Sequence, residues 1–283
     1  MSKPRIFLLT SLAMIAFASN SLLCRLALKQ TAIDPATFTF VRIFSGAIAL
    51  WLVTKMRRSS LDKSGNWASA LALFAYAAAF SFAYVSLSAG TGALLLFGAV
   101  QAMMILWGFH KGERLDLIQI FGLGVALTGL VVLVSPGLSA PSLIGSILML
   151  GAGAAWGIYS LRGKFVGDAI AVTTGNFLRA VLFAVVVSLT LISRAHVSLA
   201  GIAYAIISGA ITSGLGYVIW YTALSGLKAT AAAAVQLSVP VLAAAGGILL
   251  LGEPVTLRYV FASIAVLGGI ALVIWERTHA KQH

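Results

Sequence analysis

Charge is what this chain has least of: 9% of its 283 residues are Asp, Glu, Lys or Arg, and only seven are acidic. Cysteine occurs once, as Cys24, so no internal disulfide can form. The acidic residues, Asp34, Asp62, Glu113, Asp116, Asp168, Glu253 and Glu276, all fall at or near the ends of long apolar stretches, and His110, His196, His279 and His283 do the same. None sits in the middle of such a stretch. That placement argues against a metal site, a Ser–His dyad, a paired-carboxylate enzyme site and a proton relay inside a helix bundle. No cofactor and no catalysis are implied.

What the chain does have is apolar length. Sixty per cent hydrophobic residues and a mean hydropathy of +1.03 lie outside the range of soluble globular chains. A helix that crosses a bilayer takes about 20 apolar residues. The pattern predicts ten: 6–28, 36–54, 67–87, 91–109, 116–134, 142–161, 170–192, 198–220, 229–250 and 256–275. The expected fold is therefore an all-α integral membrane protein whose main partner is the lipid bilayer, with no room for a soluble catalytic domain. Ser88-Ala89-Gly90-Thr91-Gly92 marks the turn between spans 3 and 4, and Ser135-Pro136-Gly137 to Ala140-Pro141-Ser142 separates spans 5 and 6. Lys3 and Arg5 ahead of an apolar run ending near Ala16-Phe17-Ala18 also fit a cleavable signal. An uncleaved first span is the preferred reading, because cleavage there would remove most of one helix.

The chain is written twice. Gly112-Glu113-Arg114-Leu115 corresponds to Gly252-Glu253-Pro254-Val255, Phe40-Val41-Arg42 to Phe177-Leu178-Arg179, and Tyr84 with Leu87-Ser88 to Tyr221 with Leu224-Ser225, at an offset drifting from 137 to 140. Five spans per copy is odd, so residues 138–283 should insert upside down relative to residues 1–137. Such inverted repeats are typical of transporters that open a midplane site to either side in turn.

Basic residues retained on the cytoplasmic side fix the orientation. With the N-terminus inside, Lys3, Arg5, Lys55, Arg57, Arg58, Lys63, Lys111, Arg114, Arg162, Lys164, Lys228, Arg277 and Lys281 share one side, against Arg25, Lys29, Arg194 and Arg258 on the other. Both termini are expected in the cytoplasm. The net charge of +12 is spread over many loops, which argues against a nucleic-acid partner.

Candidate binding residues recur at helical spacing. Phe17, Asn20, Ser21 and Cys24 share one face of span 1, Trp156, Tyr159 and Ser160 one face of span 6, and Tyr76, Phe80 and Tyr84 one face of span 3. Span 8 offers Ser213, Tyr217 and Trp220, and span 9 offers Gln236 with Pro240 one turn on, where a backbone carbonyl loses its partner. Together these would line an uncharged, ring-rich cavity for a small molecule. The alternative is helix glue for the hydroxyls and an interfacial belt for rings near span ends, which is the reading for Trp51, Trp67, Trp107 and Trp275. Gly151, Gly153, Gly157, Gly209 and Gly246-Gly247 are expected to let helices approach closely. Arg42 and Arg179 read as arginines reaching for the bundle rim or a helix C-terminus.

Phe17-Ala18-Ser19-Asn20 and Trp156-Gly157-Ile158-Tyr159, the arginine of each following span, and Gly112-Glu113 and Gly252-Glu253 give the whole chain a resemblance to EamA-type carriers of the drug/metabolite transporter superfamily. Within that group it looks most like YddG-type exporters of aromatic amino acids. The resemblance implies a bacterial inner-membrane carrier with a central cavity walled by spans 1, 3, 4, 6, 8 and 9. With the spacing above, the residues expected to contact substrate are Phe17, Asn20, Phe80, Tyr84, Trp156, Tyr159, Tyr217, Gln236 and Pro240. Two departures stand out: Phe17-Ala18 replaces the usual Trp-Gly, and Val100 stands where span 9 has Pro240. An exporter of cationic drugs is the alternative within transport. An intramembrane enzyme or a channel is the alternative outside it.

Overall fold

Several helices begin or end where a cap satisfies their free backbone ends. Asp34 accepts from the Ala36 and Thr37 amides at 2.9 and 3.0 Å and starts the helix Pro35–Met56; Asp168 does the same for Ala169–Thr190 through Ile170 and Ala171. Asn66 caps Trp67–Tyr84 through Ser69, and Ser198 caps Leu199–Ile206 through Gly201. Gly252, at φ 61°, closes Ser238–Leu251 in the left-handed conformation that favours glycine. The polar residues of this sequence are thus concentrated where helices stop, because lipid offers no partner to an open backbone group.

The computed structural model describes residues 1–59, 61, 64–110, 112, 116–137, 140–163, 168–227 and 229–279, of which 109, 163, 229, 230 and 275–279 enter as backbone only. Glu113, Arg114, Leu115, Asp62, Lys63, Lys111, Lys164, Lys228, Lys281 and His283, and the side chains of Trp275, Glu276, Arg277 and His279, lie outside the described residues. Among the described residues the structure is all-helical, with ten helices long and apolar enough to cross a membrane. Spans 1 to 7 are Lys3–Gln30, Pro35–Met56, Trp67–Tyr84, Ala89–His110, Leu117–Val134, Leu143–Gly163 and Ala169–Thr190. Span 8 is Leu199–Leu224, span 9 the pair Ala229–Gln236 and Ser238–Leu251, and span 10 Leu257–His279. These bounds differ from the expected ones by a few residues at most ends.

Two spans are irregular. In span 8 the nine residues Ile207–Leu215 wind as a π-helix, a wide turn that places extra backbone beside Ser208, Gly209, Thr212 and Ser213. Span 9 breaks at Leu237, because Pro240 has no N–H for the carbonyl one turn back. There the Leu237 amide donates to Ala234 at 3.1 Å and the Ser238 hydroxyl to the Val235 carbonyl at 2.6 Å.

Packing runs mainly between the halves. Span 3 lies on span 6 and span 8 on span 1; span 4 lies on span 6 and span 9 on span 1; spans 2 and 7, 4 and 9, and 5 and 10 pair directly. The outer faces carry large apolar side chains such as Phe7, Phe121, Ile144 and Leu249, while the interior holds alanines and rings. Trp67 is 56% exposed at the first residue of span 3, and Trp51 and Trp107 are also partly exposed, as belt residues should be.

The capping carboxylates give the fold an acid-sensitive component. Burial works against the charge of Asp34, but bonds from Thr37, His196 and Ala36 outweigh it and hold its pKa below the ordinary value. Asp168 is likewise lowered: burial opposes, and Ser59, the Ala171 and Ile170 amides and Arg57 prevail. A depressed folded-state pKa stabilises above the unfolded value of about 4, and that stabilisation is lost as pH falls through the folded value. Thermal unfolding of purified protein is expected to be flat above about pH 5 and to weaken below about pH 4. Asp34→Asn with Asp168→Asn should shrink that acid limb, and an unchanged limb would refute the assignment.

Candidate functional site

Rings from five spans meet near the middle of the bundle. Trp156 of span 6 stacks on Tyr159 (centroids 5.4 Å) and on Tyr217 of span 8 (5.2 Å), with Tyr76 of span 3 at 4.9 Å. Tyr76 continues to Phe80 at 5.5 Å and Phe80 to Tyr84 at 4.7 Å. Phe17 of span 1 and Phe177 of span 7 each set a ring edge against Tyr217 at 5.9 Å, and Phe17 meets Trp220 at 6.0 Å. Offset and edge-on ring pairs at these spacings each add about 0.5–1.5 kcal/mol beyond area burial.

Beside the rings lies a polar layer. Asn20 accepts from the Ser208 hydroxyl at 2.6 Å and the Thr212 hydroxyl at 3.4 Å, and its amide donates to the Tyr76 oxygen at 3.5 Å. The wide turn of span 8 makes this possible, since Ser208 and Thr212 both sit in it. Tyr159 is bonded to Thr173 and Asn176, each at 3.5 Å.

Arg42 corrects two expectations. It neither reaches the rim nor a helix C-terminus, and the ring site is not uncharged. Its side chain is buried, 2% exposed, with Nη2 donating to the Tyr76 hydroxyl at 3.0 Å and Nε to the Ser213 hydroxyl at 3.4 Å. The guanidinium carbon lies 4.7 Å from the Phe80 ring centre and 5.3 Å from that of Tyr76. Its Nη1 has no partner among the described residues. Arg179, at the equivalent place in the repeat, behaves as expected of a tie near the bundle's edge: it donates to the Ser64 and Gly175 carbonyls at 2.8 Å each and covers Trp67.

Of the nine expected site residues, Phe17, Asn20, Phe80, Trp156, Tyr159 and Tyr217 join this cluster. Tyr84 touches it by one edge and gives its hydroxyl to the Ala89 carbonyl at 3.2 Å, fastening the turn to span 4. Among the described residues, no ring contact or side-chain bond joins Gln236 or Pro240 to the cluster; the Gln236 amide donates to Ala232 of its own helix at 3.2 Å. Nothing in the sequence pattern marks Ser208 and Thr212, and Arg42 lies deeper than its expected place at the rim. A cation seven residues inside an apolar span with no acid in reach was the available signal.

Both ends of the cluster are closed by polar ties. At one end Glu253 accepts from Arg25 Nε at 3.2 Å and from the Ala89 amide at 2.8 Å, while Arg25 Nη1 donates to the Tyr84 and Val85 carbonyls. Asp34 exchanges backbone and carboxylate bonds with His196, and Arg258 donates to the Ser135 and Pro136 carbonyls. A cavity of about 180 Å³ opens here among Ser88, Thr91, Glu253, Thr256 and Tyr259. At the other end the Asn176 side chain accepts from the Asn66 amide at 2.9 Å, and Arg162 donates to Ser69 and Asn66.

The wide turn fits only because Gly209 lacks a side chain. A Cβ there would stand 2.1 Å from both the Arg42 carbonyl and the Ser45 hydroxyl. Gly209→Ala is expected to cost about 1–3 kcal/mol by overpacking, whereas Gly124→Ala, with open space around it, should be near neutral. Chemical denaturation in detergent compares the two, and equal costs would contradict the packing described. Gly153, Gly157, Gly246 and Gly247 also face close neighbours, but Gly151 meets nothing within 4 Å and has no part in helix approach.

A family model of the EamA-like transporter family matches residues 4–135 and again 143–275. The chain belongs to the EamA-like transporter family. A protein of Pseudomonas aeruginosa named only as uncharacterized is 55% identical over 278 residues, spanning 98% of this chain and 97% of its own. An uncharacterized transporter of Archaeoglobus fulgidus is 26% identical over 293 residues, covering 98% of both chains, and the uncharacterized transporter YoaV of Bacillus subtilis is 23% identical over 252 residues, covering 84% and 86%. A solved crystal structure superposes with a TM-score of 0.69 over 99% of this chain and 100% of that one at 16% identity, a likeness of fold. This EamA-like transporter is thus a multi-pass membrane protein that moves a small molecule, and the ring cluster is its candidate binding site.

Proposed function

We propose that this EamA-like transporter exports small amphiphilic metabolites, aromatic or apolar amino acids first among them, by alternating access through the ring site. In this reading residues 1–137 and 138–283 are two inverted five-helix repeats in a bacterial inner membrane, with both termini cytoplasmic. The observation that carries it is the packing of Trp156 against Tyr76, Tyr159 and Tyr217, which brings rings of both halves together. The reciprocal pairing of spans 3 with 6 and 8 with 1 supports the repeat, as does the meeting of loops 1 with 7 and 3 with 9 at helix ends. In the closed arrangement the rings pack on each other, and a substrate ring would replace one of those contacts when an end opens. The buried cation Arg42 works against cationic drugs as the cargo.

Labelled phenylalanine in proteoliposomes tests this. Uptake down its own gradient is expected without an imposed pH difference, since no described carboxylate lies within the ring site. A strict requirement for a pH gradient would replace the facilitated version with a coupled one, and no uptake under either condition would remove phenylalanine from the substrate class.

A further inference from the structure

We infer that Arg42 is the anchor for a substrate carboxylate, so that the ring site takes aromatic or apolar monocarboxylates and the substrate's amino group is dispensable; this rests on the ring cluster being the transport site. A guanidinium inside an apolar span is costly unless something compensates its charge. The groups around Arg42 compensate it in part only. Two hydroxyls, of Tyr76 and Ser213, take Nη2 and Nε, and two ring faces cover the carbon. None of these carries a negative charge.

The described acids are engaged elsewhere: Asp34 and Asp168 cap helices, Asp116 sits at the N-cap of span 5, and Glu253 is paired with Arg25 in the one ion pair among the described residues. Among the described residues Nη1 is therefore a buried, charged donor with nothing to donate to, on a guanidinium whose carbon lies 5.3 Å from the Tyr76 ring centre; that ring in turn lies 4.9 Å from Trp156. Arg25 and Arg179, which tie helix ends together, each give Nη1 to two backbone carbonyls, whereas the buried Nη1 of Arg42 reaches none among the described residues. A carboxylate is the group that completes Arg42, because a charge-assisted bond both fills Nη1 and neutralises the cation. An ammonium has no such place, since the Asn20 oxygen already accepts from Ser208 and Thr212 and the nearest full charge is positive.

Four probes separate the possibilities: 3-phenylpropionate (acid alone), phenylalanine (acid and amine), phenylalaninamide and phenethylamine (no acid). Thermal-shift titrations of the purified full-length transporter are expected to respond to the first two and not to the last two. Arg42→Gln should weaken the acid response about 10- to 100-fold, the loss of one charged hydrogen bond, and Arg42→Lys should weaken it less. If Arg42→Gln does not fold, the acid-over-amide preference of the wild type and the Arg42→Lys titration decide. Equal responses to acid and amide, or an acid response that both Arg42 variants leave unchanged, overturn the carboxylate assignment; if Trp156→Ala still removes that response, the ring site itself stands. Silence from all four probes in the wild type overturns both.

Discussion

Glu253→Ala is expected to destabilise the transporter by about 3–5 kcal/mol, the cost of stranding one member of a buried ion pair. The side chain is 7% exposed and its partner Arg25 13%, so water has little access to the pair. One carboxylate holds Arg25 of span 1 and the first amide of span 4, and Arg25 in turn holds the last carbonyls around span 3. Three helix ends and the turn between spans 9 and 10 therefore depend on it. Glu253→Gln keeps an acceptor for the Ala89 amide and should recover part of the loss. Arg25→Ala combined with Glu253→Ala should cost less than the two singles added together, the signature of a direct pair. Denaturant titrations of the four proteins measure this, and a Glu253→Ala variant as stable as the wild type would show the tie to be incidental.

Trp156→Ala should lower phenylalanine uptake about 100-fold while leaving the fold largely intact. Three ring contacts at 4.9 to 5.4 Å converge on this one side chain. A substrate ring entering the site would take over part of that stacking, and losing it removes about 2–3 kcal/mol of binding, hence the factor. Trp156 is only half-buried, so truncation leaves less of a void than at Tyr84 or Phe80, which are sealed. Trp156→Phe should retain most uptake. A Trp156→Ala protein that unfolds at the wild-type temperature and transports at the wild-type rate would remove the ring cluster from the pathway.

The ten spans were legible because bilayer thickness sets their length, and a run of about 20 apolar residues shows it directly. The rings were legible for a related reason: large polar-tipped side chains at i, i+4 positions are conspicuous in helices otherwise made of Ala, Leu and Gly. What failed was direction. When nearly every residue is apolar, little in the pattern says which face turns inward: the expected contact glycine Gly151 meets open space, and Gln236, expected in the site, shows a bond only to its own helix among the described residues. The wide turn of span 8 leaves no periodic trace, and without it Ser208 and Thr212 could not be set against Asn20. Arg42 was misplaced because the usual remedy for an arginine near a helix end is to stretch toward water. Here Tyr76, Phe80 and Ser213 enclose it instead.

The crosswise pairing of spans carries a consequence for how this chain can be made. Since spans 1 to 5 find their principal neighbours among spans 6 to 10, a ribosome that has released only the first five has delivered helices whose small, polar faces border lipid rather than protein. Asn20 without Ser208 and Thr212, and Arg42 without Ser213, would be polar groups in hydrocarbon with only Tyr76 among their partners already made. Assembly of the early helices is therefore a waiting state, completed only when the late ones arrive.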